Sequence, residues 1–423
     1  MIQVLGTSWA LLLGMFMLMV GNGLQGTLLG IRGGIENFST LEMSIVMSGY
    51  FIGFLGGSRM APSMIRRVGH VRVFAALGSL ISAVLILYPA IANPWAWMVG
   101  RIIIGFCFSG VYVTAESWLN NSASNENRGE ALSLYMIVQM AGIVLAQYLL
   151  VTADAGGYVL FVVASVMVSI AFAPILLSIS PTPAFDTTKP MSLRELVGVS
   201  PLGAVGMFLL GGVFAAQFGM SAVYGTQAGL TVGQISFFVS SIYVGALLMQ
   251  YPIGWISDRM DRRLLIIGVS ALGGAAGFAA YMIPDNFALL CAAGFLIGGT
   301  SNPLYALLIA YTNDFLEHDD MAAASGGLVF INGVGAISGP IIVGWMMGAL
   351  GPQGFFLFIA VLLAAVVAYG IYRMTQRTST TSVEDMTSYA PVLANASPVV
   401  VEYAQELYIE TELEEEAAAE DVS

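Results

Sequence analysis

Gly254-Trp-Ile-Ser-Asp258-Arg259-Met-Asp261-Arg262-Arg263 places five charges within six residues, 258–263. It stands between two long apolar runs, 233–255 and 264–283. Of the 423 residues in the chain, 57% are hydrophobic and only 9% charged. A soluble domain carries about 25% charged residues, so a soluble body of this size could not cover its surface. The decapeptide therefore reads as a polar connection between two helices that cross a membrane.

Ten further runs have the same length. A crossing helix needs about 20 apolar residues, and twelve runs meet that: 7–29, 41–60, 73–92, 95–118, 130–151, 158–178, 201–222, 233–255, 264–283, 287–312, 322–348 and 354–373. The first has no basic segment before it and is too long for a signal peptide, so it is expected to be a retained helix. With the N-terminus inside, the inner connections and the segment after the last span hold Arg59, Arg66, Arg67, Arg72, Arg128, Lys189, Arg194, Arg259, Arg262, Arg263, Arg373 and Arg377, which is 12 of the 14 bases. Arg32 alone lies in an outer connection, and Arg101 lies within a span. The positive-inside rule then puts both termini in the cytoplasm.

The longest internal break, 180–200, holds Pro181, Pro183, Lys189 and Pro190, then a short helix-like stretch from Ser192 to Glu195. It separates an N-terminal six-helix bundle, 1–179, from a C-terminal one, 201–373. The tail, 374–423, carries 11 acids against Arg377, most of the chain's net charge of −12. It is expected to be a disordered, solvated appendage, with partner docking as the other reading. His70 and His318 fall in polar connections, and Cys107 and Cys291 read as buried hydrophobes.

The two halves repeat. Sliding the chain by 192 or 193 residues puts Gln25 on Gln217, Tyr50 on Tyr243, Gly105 on Gly298, Tyr112 on Tyr305, Gln139 on Asn332 and Gly142 on Gly335. Ser39-x-x-Glu42 falls on Thr231-x-x-Gln234, each a capping box opening the second helix of its half. Two halves of equal polarity imply a pseudo-twofold along the membrane normal. Leaving aside the two residues at each span end, amide and charged side chains within the spans are confined to Asn22, Gln25, Arg101, Glu116, Gln139, Gln147, Gln217, Gln250, Asn302 and Asn332. Spans 3, 6, 9 and 12 have none, so they are free to face lipid, while the others wall an interior cavity.

This layout resembles the major facilitator superfamily. The decapeptide matches that family's loop pattern Gly-x-x-x-Asp-Arg-x-Gly-Arg-Arg except for Asp261. The first-half copy, Pro62-Ser-Met-Ile-Arg66-Arg67-Val-Gly69-His70-Val-Arg72, has Arg66 where the family has Asp. Arg101-Ile-Ile-Ile-Gly105 is similar to the family's fourth-helix motif. Arg66-Arg67-Val-Gly69-His70, Ala115-Glu116-Ser117, Asn127-Arg128-Gly129 and Tyr251-Pro-Ile-Gly254 resemble the YcaD-like branch. The resemblance implies an all-α membrane protein with 12 transmembrane helices in two pseudo-symmetric bundles, working as a secondary transporter by alternating access.

Candidate roles follow. Asp258, Arg259, Arg262 and Arg263, with Arg66, Arg67 and Arg72 of the first-half loop, form an inner gate by bonds to facing helix ends or serve topology alone. Glu116, the only acid inside a span interior, either pairs with those arginines or carries a proton. Arg101 either binds an anionic solute or serves an outer-side proton relay, or else it snorkels, bonded to Asn22 or Gln25 on the first helix. The solute-binding shell is expected to comprise Asn22, Gln25, Tyr50, Arg101, Tyr112 and Gln139 in the first half. The second half supplies Gln217, Tyr243, Asn302, Tyr305 and Asn332.

Lys189, the one lysine, precedes Pro190, so a phosphate-binding Gly-Lys-Ser/Thr loop cannot be written and ATP is not expected as a partner. Neither are a metal, a cofactor, nucleic acid or enzymatic chemistry. The expectation is a monomeric inner-membrane transporter for a polar, zwitterionic or anionic small solute, most simply coupled to protons. Efflux of amphipathic compounds is the alternative within transport. A non-transporting assembly or sensor protein of the same fold is the alternative outside it.

Overall fold

The computed structural model describes residues 2–122, 128–177, 191–316 and 318–376, with Tyr389, Pro391 and Val392. The described residues are helical throughout, joined by turns. The first six helices are α1 (Ile2–Ile35), α2 (Thr40–Val68), α3 (His70–Ala90), α4 (Pro94–Ser122), α5 (Arg128–Leu150) and α6 (Val159–Leu177). A seven-residue helix α7 (Leu193–Val199) follows, and then α8 (Pro201–Ala215) runs through a π-helical turn, Ala216–Met220, into α9 (Ser221–Gln227). The last five are α10 (Val232–Ser257), α11 (Arg262–Met282), α12 (Phe287–Asn313), α13 (His318–Leu350) and α14 (Gly354–Gln376).

The turn chemistry lies where the sequence puts it. Both capping boxes are complete. Ser39 accepts from the Glu42 N–H while Glu42 accepts from that of Ser39, and Thr231 and Gln234 repeat the arrangement at the start of α10. Ser192 caps α7 through the Glu195 N–H. Asp261 caps α11 by accepting from the Arg263 N–H at 2.8 Å.

Ten segments are long and apolar enough to cross a membrane among the described residues. The twelve apolar runs read from the sequence include two more, α2 and α6. In α2, eight of 29 residues are Gly or Ser, which dilutes its hydropathy. α6 is the shortest of the long helices, with 19 residues. Several ends also differ from the apolar runs. α2 continues to Val68 rather than stopping near 60, because a helix need not end where the hydrocarbon does: Ser63, Arg66 and Arg67 are exposed on its last turns. His70 is not in a polar connection. It opens α3, is buried, and its Nε2 lies 3.1 Å from Ser117 Oγ. The segment 178–190, with Pro181, Pro183, Lys189 and Pro190, and nearly all of the acidic tail lie outside the described residues.

Packing repeats between the two sets of helices at the level of single contacts. A Cβ on Gly105 of α4 would overlap the Tyr50 carbonyl oxygen of α2, and one on Gly298 of α12 would overlap that of Ile242 in α10. Gly53 meets the Ile102 carbonyl as Gly245 meets that of Phe295, and Gly142 meets Phe16 as Gly335 meets Phe208. Each pair is offset by 192 or 193 residues on both partners. Small residues let backbones approach this closely where burial of side chains from water cannot drive helix association. Contacts between α1–α6 and α8–α14 gather at the end carrying the α1–α2 turn. There Gly30 of α1 abuts Ala222 of α9, Gly344 of α13 abuts Ser44 of α2, Gln227 donates to Thr40, and Ser236 donates to the Gln147 carbonyl. Nearer the middle, Ser48 Oγ donates to the Ile337 carbonyl at 3.0 Å, and further along α2 the Arg59 guanidinium lies 4.0 Å from the Phe330 ring centroid of α13.

Gly298→Leu is expected to destabilise the protein by about 3 kcal/mol or more, since the blocking atom is backbone carbonyl. Gly268→Ala, on α11 with open space around it, is expected to be neutral or mildly stabilising. The thermal unfolding midpoint of the detergent-purified protein distinguishes the two.

Candidate functional site

A cavity of about 130 Å³ lies where the two sets of helices face each other. Its described lining comes from α1, α2, α4, α5, α8 with its π turn, α9, α10, α12 and α13, and none from α3, α6, α11 or α14. Those four helices correspond to the spans without amide or charged side chains.

Nine of the eleven expected shell residues line it. Arg101 anchors the first-half wall. It is 3% exposed, donates from Nη1 to Gln25 Oε1 at 3.0 Å, and lies with its guanidinium 4.8 Å from the Tyr50 ring centroid. Gln25 donates to Asn22 Oδ1 at 3.3 Å, Asn22 donates to the Tyr112 hydroxyl at 3.3 Å, and Tyr112 donates to Met19 Sδ at 3.3 Å. One chain of hydrogen bonds thus ties α4 to α1 and back. Arg101 Nε has no partner among the described residues. The second-half wall carries amides held at one end. Gln217 donates to Ser301 Oγ at 2.8 Å and leaves Oε1 unpartnered among the described residues. Asn332 donates to the Met207 carbonyl at 2.9 Å, and Asn302 to that of Gly298 at 3.4 Å. A buried donor and a buried acceptor with capacity to spare, one on each wall, are what a bound polar solute would satisfy.

Gln217 owes its place to the π turn. π-helical turns inside α-helices are rare and concentrate at functional sites, and this one turns both Gln217 and Phe218 to the cavity. Sequence reasoning had no signal for it. It also left out the aromatic lining: Phe51 and Phe54 on α2, Phe214 and Phe218 opposite. Phe218 stacks on Phe214 (5.6 Å between centroids) and on Tyr243 (5.4 Å). The i, i+4 spacing of Phe214 and Phe218 was a visible signal, but such a stripe reads equally as core.

The two other expected shell residues, Gln139 and Tyr305, are buried but do not line the cavity. Gln139 sits one residue before Met140, which does. Tyr305 packs its ring 5.9 Å from that of Phe214. Glu116 is 1% exposed and accepts from the Tyr135 hydroxyl at 3.1 Å. The structure does not bring it to Arg66, Arg67 or Arg72, whose side chains are exposed.

The charged residues of the decapeptide do gather. Arg262 is buried, donates to Ser257 Oγ at 3.2 Å, pairs with Asp314 at the end of α12, and lies 3.7 Å from Asp258. Arg263 stands 5.8 Å over the Tyr311 ring, and Arg259 4.2 Å over that of Trp255. The Arg262 pairs knit the α10–α11 turn to α12.

The family model described as Major Facilitator Superfamily matches residues 11–238 and 202–395. The chain is 26% identical over 354 residues to the protein named uncharacterized MFS-type transporter YcaD of Salmonella heidelberg (strain SL476), covering 83% of this chain and 91% of that one. The YcaD of Escherichia coli O6:K15:H31 (strain 536 / UPEC) is likewise 26% identical, over 355 residues. Among solved structures, the nucleoside transporter NupG superposes with TM-score 0.70 at 15% identity, over 88% of this chain and 100% of that one. The E. coli fucose:proton symporter FucP does so with TM-score 0.56 at 16% identity, over 86% and 98%. A bacterial homologue of the human lysosomal transporter Spinster gives TM-score 0.67 at 13% identity, over 96% and 98%. The chain is a multi-pass membrane protein that belongs to the Major Facilitator Superfamily, in its YcaD-like branch.

Proposed function

We propose that the protein is a secondary active transporter of the inner membrane that takes up a small anionic or zwitterionic solute by alternating access, coupled to protons. In this reading α2 and α6 complete twelve spans. The spans form two six-helix halves, 1–179 and 201–373, joined by the cytoplasmic connection 180–200, with both termini in the cytoplasm. The halves rock about the cavity between them, and the contacts at the α1–α2 end close the outer side. No ATP and no partner chain enters the scheme.

The observation that carries the reading is Arg101. A guanidinium buried in a membrane bundle is expensive and marks a solute or ion path by default. Arg101 lines the cavity, has no carboxylate against it among the described residues, and keeps Nε unengaged. An incoming carboxylate or phosphate would supply both the counter-charge and the missing acceptor, in the geometry that favours arginine for such groups. Gln217 Oε1 on the facing wall would take a donor of the same solute, so that binding spans both halves. The aromatic lining favours a second reading, export of amphipathic compounds, in which the rings rather than Arg101 supply the affinity.

A thermal-shift screen of the purified protein against small carboxylates, phosphates, amino acids, uncharged sugars and lipophilic cations separates the two. Stabilisation by a ligand at 100 times its Kd is worth about 2.7 kcal/mol. Stabilisation confined to anions or zwitterions, lost by at least about tenfold in affinity in Arg101→Gln, is the expected result. A response only to lipophilic cations would reject it.

Glu116 is assigned the proton. With the anion found above loaded into proteoliposomes, Glu116→Gln is expected to lose concentrative uptake by at least about tenfold while keeping counterflow exchange. Loss of both would make Glu116 a structural element of the inner side instead.

A further inference from the structure

The described residues of the C-terminal tail include a contact with the helices. The Tyr389 backbone N–H donates to Asp258 Oδ1 at 2.9 Å. The Tyr389 ring lies over Gly254, where an added Cβ would stand 2.6 Å from its Cδ1. Its hydroxyl is buried with no partner among the described residues. Burial and the neighbouring Asp258 carboxylate hold that phenol well above its ordinary pKa, so it stays neutral. Val392 is 2% exposed and belongs to the continuous apolar core. A solvated tail would leave these groups in water. Here an N–H, an aromatic ring and a valine side chain are withdrawn from it, the first two against the α10–α11 turn.

Among the described residues Asp258 has two partners, the Tyr389 N–H and Arg262 at 3.7 Å. Neither belongs to α1–α6. A carboxylate that closes the inner side has to accept from the facing half, and here the tail engages one of its oxygens. The halves meanwhile meet at the opposite end, where Gly30 meets Ala222 and Ser44 meets Gly344, and Arg59 over the Phe330 ring carries the α2–α13 contact part of the way inward. The two observations belong together if tail docking and inner closure compete for one side chain.

We infer that Tyr389, with Val392 buried beside it in the chain, is an intramolecular latch: seated on Gly254 and Asp258, it withholds that carboxylate from the first half and favours the form closed at the α1–α2 end. The inference rests on the alternating-access reading given above. The latch sets the balance between the two forms and leaves the cavity itself untouched.

Spin labels on Ser63→Cys and Leu264→Cys in the full chain report the separation of α2 and α11 across the inner side. Both positions are exposed, while the native Cys107 and Cys291 are buried and escape labelling. The expected result is two distances in the otherwise unaltered protein, with the shorter at least doubled in population in Tyr389→Ala and in Val392→Asp. Gly254→Leu, which fills the place of the ring, is expected to do the same. If it does not fold, the two tail variants still decide the matter. Two distances whose populations are unchanged in Tyr389→Ala and Val392→Asp would overturn the latch and leave alternating access standing. One distance common to every variant would overturn both.

Discussion

Hydrocarbon offers no hydrogen bonds, so each polar side chain placed among apolar helices must find its partner inside the protein. Backbone groups meet this requirement within their own helices. Side chains meet it only by reaching across, and that fixes which helices are neighbours. Arg101, Gln25, Asn22 and Tyr112 settle α1 against α4. Asn332 settles α13 against α8, and Gln217 settles the π turn against α12. The same bonds that orient the helices leave Arg101 Nε and Gln217 Oε1 short of a partner. A shape that satisfied every group would have no reason to bind anything; this one stops short on both walls of one cavity.

The repeat supplies the scaffold and divergence supplies the chemistry. Glycines at equivalent positions set the same close crossings in both halves, and the paired Gln25 and Gln217 and paired Tyr50 and Tyr243 all reach the cavity. The charge is not repeated. The positions equivalent to Arg101 are Ala293 and Gly294, with no side chain long enough to bond anything. The cavity lining is therefore polarised, a cation on the first-half side facing amides and stacked rings on the second. On the transport reading proposed above, a solute bridging the two would have a preferred orientation before either half moved.

Much of this was legible in the sequence for a simple reason: a polar residue in a membrane helix is scarce, and its scarcity is its signal. Asn22, Gln25, Arg101, Gln217, Asn302 and Asn332 stand out against an apolar background, and all line the cavity. Gln139 shows the limit. Each residue turns a helix by about 100°, so an amide one position from a lining residue can point elsewhere, as Gln139 does beside Met140, and a run of apolar residues does not fix the rotation. Phe51, Phe54, Phe214 and Phe218 were hidden because an aromatic ring looks the same in sequence whether it lines a cavity or fills a core. The length of α2 was hidden because hydropathy marks where lipid ends, not where a helix does. The docking of Tyr389 is a contact across 131 residues to Asp258, and nothing local encodes it.

The π turn at Ala216–Met220 works as a phase shifter. It inserts one residue more than a regular helix would hold, so α9 emerges rotated by about 100° relative to the course set by α8. That rotation is what presents Ala222 and Thr226 to Gly30 and Gly34 of α1. If the turn annealed to regular helix, Gln217 and the seam between α9 and α1 would slip out of phase together. The cavity wall and the packing of α9 on α1 are thus geared to a single local irregularity, five residues long.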